Sequence, residues 1–162
     1  MLSIARSMGG TAGSPLGDTL DDEKRRELQH LLGSIDSRRE LDRYDERERR
    51  IERNRHIYRF EELMRSVVVP TLRVCMLDLD RKGHFTRLRE LSPRRARLDL
   101  QIQLGAQKRG ALELALIDEQ PDQLRVDYIW GWKREQEVFA VNQLGDAFVT
   151  DRVLHLVRGM VG

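Results

Sequence analysis

The sequence predicts an α+β fold: a four-stranded antiparallel meander with helices packed on one face, preceded by a long charged helical arm. Three observations carry that reading. Leu98, Leu100, Ile102 and Leu104 alternate with Arg97, Asp99, Gln101 and Gln103, the two-residue period of a half-buried strand. Of the 19 residues from Arg38 to His56, fourteen are Arg, Asp or Glu, with opposite charges often three or four apart, the spacing at which helical side chains meet. Between Phe60 and Leu79 lies the densest apolar stretch of the chain.

The elements follow in order. Met1 to Gly17, with its Gly, Ser, Thr and Pro, has no periodicity and reads as a flexible tail over 1–17. Asp18 or Thr19 caps a first helix to about Leu32, with Asp21, Asp22 and Glu23 in the first turn, where the helix dipole favours negative charge. Its Leu28, Leu31, Leu32 and Ile35 keep helical spacing, and Gly33-Ser34 offers a break. The charged helix from Ser37 completes an arm over 18–59. Its apolar residues Leu41, Tyr44, Ile51 and Tyr58 fall three, seven and seven apart, one side of a heptad whose other seam positions are Glu48 and Arg55. Such a stripe suits a short paired coil, or else a solvated strut.

The α+β domain occupies 60–162. Pro70 interrupts the apolar stretch, so a kink or a new helix start is expected there, with the helix ending at Lys82-Gly83. Arg81 to Arg97 reads as a basic loop broken by Pro93. The strand at Leu98 to Leu104 is followed by a Gly105 to Gly110 turn and a second strand at Leu112 to Leu116. Asp118 to Asp122 then leads to a third at Leu124 to Trp130, and the Gly131 to Arg134 turn to a fourth at Glu137 to Val141. The connections are short, so neighbours are antiparallel. Thr150 caps a last helix whose Val153, Leu156, Val157 and Met160 line one face.

Composition narrows the function classes. A length of 162 residues suits one domain, and 40% apolar content can fill one core. No stretch resembles a membrane span or a secretory leader, which points to a cytoplasmic protein. The single cysteine, Cys75, excludes an internal disulfide and a thiolate zinc site within one chain. Net charge is only +2, yet 81–97 concentrates the basic excess in Arg87, Arg89, Arg94 and Arg95.

No catalytic motif emerges. Asp78, Asp80 and His84 straddle a helix end without a ligand spacing, and His30, His56 and His155 fall on separate helices. Cys75, between Val74 and Met76, reads as a small buried hydrophobe. No catalytic residue, metal ligand, cofactor or small-molecule substrate is assigned. The expectation is a non-catalytic interaction or assembly protein, either self-associating or a subunit or adaptor of a complex, binding a protein partner through Leu41, Tyr44, Ile51 and Tyr58. The alternative is a nucleic-acid-associated protein. In a meander the first and third turns share one end of the sheet, which would gather Lys108, Arg109, Trp132, Lys133 and Arg134 into a basic, aromatic site for nucleic acid or an acidic partner, while Asp118, Glu119 and Asp122 sit at the other end.

Overall fold

The computed structural model describes residues 15–162, with side chains from residue 21. The expected tail therefore lies mostly outside the described residues, and its last part, from Pro15, is already helical. Helix α1 runs Pro15–Leu63, a π-helical turn Met64–Val68 follows, and α2 spans Val69–Arg81. The chain divides into two units, one ending at Arg50 and the other comprising Ile51–Gly162.

In the first unit α1 has no core of its own, and every side chain from Asp21 to Arg50 is exposed. Local charge pairing supports it, as in Arg50 to Glu46 at 3.5 Å, one turn apart. Gly33-Ser34 does not break the helix. A single helical glycine costs about 1 kcal/mol relative to alanine, and strong helix formers precede it (Glu27 to Leu32) and resume at Arg38 to Leu41.

In the second unit the apolar phase begins at Phe60, which is fully buried. Proline at position 70 has no amide to donate and would collide with the carbonyl one turn back, and the chain meets it by widening into the π-helical turn just before α2. Ser66 supports that turn by donating its hydroxyl to the Glu62 carbonyl at 2.7 Å. The expected ending at Lys82-Gly83 is found: Gly83 takes φ +87°, and the His84 and Gly83 amides reach back to the Leu79 and Asp80 carbonyls at 3.1 and 3.0 Å.

The sheet has five strands rather than four. They are β1 Phe85–Ser92, β2 Arg95–Leu104, β3 Ala106–Leu116, β4 Gln123–Trp130 and β5 Lys133–Ala140. Strand order follows sequence order, and every pair is antiparallel. The additional strand is β1, within the segment read as a basic loop. It is an edge strand, and its charged residues, which hide the alternation from a sequence reading, are what such an edge carries against uncontrolled pairing. The reversal between β2 and β3 is confined to the region of Gly105, at φ +65°, so 106–110 is strand and not turn. Likewise β5 begins at Lys133, four residues before its expected start, after a two-residue Gly131-Trp132 turn.

Helix α3 covers Asp146–Val161 with Gly145 as its N-cap, a turn earlier than a Thr150 cap would place it. That added turn buries Val149 completely and sets Phe148 edge-on to Phe139 at 4.9 Å. One core results: Leu98, Leu100, Leu112, Leu114, Val126 and Tyr128 from the sheet meet Phe60, Val68, Leu72, Val149 and Leu156 from the helices. Among the described residues of the second unit, no helix packs on the other sheet face.

Candidate functional site

The turn at Gly105 and the turn at Gly131 share one end of the sheet, as a meander requires. Between them lies a cleft of about 960 Å³, whose lining includes Gln107, Lys108, Arg109, Trp132 and Lys133. Its floor depends on two glycines. A Cβ at Gly110 would stand 2.5 Å from the Met160 sulfur, and one at Gly159 would stand 3.0 Å from the Trp130 ring, so the end of α3 approaches β3 and β4 only because both side chains are absent. Trp132 is 91% exposed. Arg134 does not line this cleft. It sits on the open sheet face, 3.5 Å from Asp127.

At the opposite end the acidic turn after β3 meets the β1–β2 turn. Arg94 lies 3.7 Å from Asp118 and donates to Glu61 at 3.1 Å, while Arg53 donates to the Asp118 carbonyl at 2.9 Å. Arg94 is thus neutralised where it stands.

The open face holds what the sequence reading missed. Cross-strand register places Arg87 and Arg89 of β1, Arg95 and Arg97 of β2, Arg109 of β3, Arg125 of β4 and Arg134 of β5 on it, against Asp99, Glu113 and Asp127. Asp99 accepts from Arg89 and Arg97, both at 3.0 Å. Glu113 accepts from Arg95, with Arg97 at 3.8 Å, and Asp127 accepts from Arg125 at 3.1 Å. Glu113 and Asp127 oppose each other across β3 and β4 and are only 4% and 1% exposed, each beside the arginines that neutralise it. Arg87 and Arg109 make no ion pair among the described residues. The overlooked signal was the spacing Arg87-x-Arg89 and Arg95-x-Arg97, which in a strand puts both members of each pair on one face.

A polar cluster also occupies the rim between α3 and the last two strands. Arg152 donates to the Tyr128 hydroxyl at 3.1 Å and stacks over Phe139 and Phe148 at 5.0 and 5.2 Å. His155 lies 3.0 Å from Glu135 and packs its ring on Tyr128 at 4.5 Å. Burial pushes the Tyr128 phenol up to about 12, against the opposing pull of Arg152. These contacts tie α3 to the sheet edge.

Asp78, Asp80 and His84 do not converge. Asp80 accepts from the Thr86 hydroxyl at 2.9 Å, and His84 Nδ1 accepts from the Gln103 amide at 3.1 Å. The Cys75 thiol is half-buried, and burial raises its pKa away from the thiolate form. His30 and His56 lie on α1 and His155 on α3. Among the described residues no group of His, Cys, Asp or Glu is gathered as a metal site, and no helix is long and apolar enough to cross a membrane.

On α1 all four residues of the expected partner stripe are exposed: Leu41 by 62%, Tyr44 by 60%, Ile51 by 46% and Tyr58 by 67%. No family model, curated protein or solved structure matches the chain.

Proposed function

We propose that this is a non-catalytic interaction or assembly protein that acts through α1, either by self-association or as a subunit or adaptor of a complex. The observation that carries the reading is the exposure of large apolar side chains along a helix with no core of its own. In the first unit Leu28, Leu31, Leu32 and Ile35 join Leu41 and Tyr44 on the solvent side; in the second, Ile51 and Tyr58 do the same. Scattered single hydrophobes need no explanation, but sets at helical spacing on a helix that has no core of its own up to Arg50 favour a surface for another helix.

Helical spacing adds a constraint. At about 100° per residue, the Leu28 to Ile35 set and the pair Leu41 and Tyr44 point to different sides of the helix within the first unit. A single partner helix covers one set or the other, so full burial calls for two partners or a bundle. Surface ion pairs contribute about 0.2 to 1 kcal/mol each, whereas burying an Ile or Leu contributes about 1.5 to 3 kcal/mol. Affinity therefore rests on the apolar sets, and the flanking charges set orientation.

Sedimentation of the full chain tests this. The wild type is expected above the 19.0 kDa of one chain, or retained by a partner from its own lysate. Ile51→Asp and Leu32→Asp are each expected to weaken that assembly at least tenfold, and Arg49→Ala to leave it nearly unchanged. A wild type that is strictly monomeric and captures nothing overturns the reading.

A further inference from the structure

The cations of the sheet that remain without a carboxylate partner are not scattered. Arg87 and Arg109 line a shallow hollow of about 210 Å³ on the open face, beside Phe85, which is 61% exposed. Arg109 also lines the end cleft, which brings in Lys108, Lys133 and the exposed Trp132. The hollow and the cleft share Asp99, Arg109 and Gly110, so they adjoin: the track starts on the open face at the β1 edge and bends round the Gly131 end of the sheet, where the cleft is lined from both faces. The shared carboxylate, Asp99, is already neutralised by Arg89 and Arg97. Four cations with no carboxylate partner among the described residues thus border these two adjoining hollows, Arg87 and Arg109 on the open face and Lys108 and Lys133 on the alternate phase of β3 and β5 at the sheet's end, with an exposed aromatic ring near each extremity.

We propose that this track, formed by Phe85, Arg87, Arg109, Lys108, Lys133 and Trp132, binds single-stranded nucleic acid. Charge alone would suit any polyanion. The rings decide between them: two exposed aromatic side chains flanking a cationic groove are stacking platforms, and unstacked bases offer them flat faces that an acidic peptide lacks. The amides of Gln101 and Gln107, which also line the track, can both donate to and accept from base edges, whereas carboxylates could use only their donors. A duplex keeps its bases stacked away from both rings. This proposal is independent of assembly through α1, because it uses no residue of that helix.

The test is fluorescence anisotropy of labelled oligo-dT and oligo-U with the full chain, over a range of salt. Neutralising four phosphates on a single strand gives a slope of log affinity against log salt of about −3. Arg87→Ala with Arg109→Ala is expected to weaken binding at least tenfold and to flatten that slope by about half. Phe85→Ala with Trp132→Ala is expected to weaken binding about tenfold while leaving the slope unchanged, a split that general loss of charge would not produce. Leu32→Asp is expected to alter neither. Circular dichroism of each variant checks that the sheet remains folded. The proposal is overturned by absence of binding at about 100 µM protein in low salt, by preference for duplex, or by poly-glutamate displacing the oligonucleotide equally well per charge.

Discussion

The two faces of the sheet are built from the same strands by alternate residues, yet different forces keep them in order. On one face Leu98, Leu100, Leu112, Leu114 and Val126 disappear under α2 and α3, and hydrocarbon packing against a close-fitting neighbour stabilises them. On the other no helix of the second unit arrives among the described residues. There Arg97, Asp99, Glu113 and Asp127 occupy the intervening positions, and Glu113 and Asp127 become as buried as many core leucines while paired to arginine side chains. Two carboxylates opposite each other across an antiparallel pair repel. Arg95, Arg97, Arg125 and Arg134 make that arrangement tenable, although Asp127 Oδ1 remains buried without a hydrogen bond. Burial therefore has opposite meanings on the two faces: on the first it supplies the stabilisation, and on the second it is a condition that neighbouring charge has to satisfy.

Substitutions can break or sharpen this contrast. The largest effect is expected on the covered face, where Leu112 is fully buried between Leu98 and Tyr128. Leu112→Ala should cost about 2 to 5 kcal/mol, seen as a lower urea midpoint with an unchanged slope. A loss no larger than that of a surface change would mean that α2 and α3 do not seal this face.

Tyr128 gives an intermediate effect with a pH signature. At neutral pH, Tyr128→Phe removes the hydrogen bond from Arg152, worth about 0.5 to 1.5 kcal/mol. The folded phenol titrates at about 12 rather than 10.0, so the unfolded chain loses this proton first as pH rises. The contribution is whole below pH 10 and is lost progressively between about 10 and 12. Urea midpoints followed from pH 9 upward should fall more steeply for wild type than for Tyr128→Phe. Parallel curves would mean that the phenol is not held in its neutral form.

The smallest effect belongs to the open face. Arg87→Ala should change stability by no more than about 0.5 kcal/mol, because Arg87 has no carboxylate partner among the described residues and supports nothing in the core. A cost near that of Leu112→Ala would show that the open face is a structural surface and not a free one.

Much of this architecture was legible along the chain. Leu98 to Leu104 and Leu124 to Trp130 were recognisable because a half-buried strand imposes a period of two, and the ending at Lys82-Gly83 because a left-handed residue favours glycine. The gathering of Lys108, Arg109, Trp132 and Lys133 followed from short connections. Strand β1 was not legible, since Phe85, Arg87, Arg89 and Leu91 on one side and Thr86, Leu88 and Glu90 on the other give an edge strand no clear contrast. Nor was the continuity of α1 through Gly33, where the local signal for a break is outweighed by the longer run of helix formers before it and from Arg38 onward.

By itself the sequence determined which residues alternate, which face of each strand is apolar, and that a charged helix precedes the sheet, because propensity, periodicity and turn chemistry act over a few neighbouring residues. Only the tertiary structure decided the register in which neighbouring strands pair and added β1 at the edge. Register across β1 to β5 put seven arginines from five separate segments on one surface, opposed Glu113 to Asp127, and left Arg87 and Arg109 without carboxylate partners among the described residues. Those relations join residues far apart along the chain. They exist only once the covered face has chosen its partners, since pairing the apolar phase of each strand with the helices fixes where every charged neighbour must point.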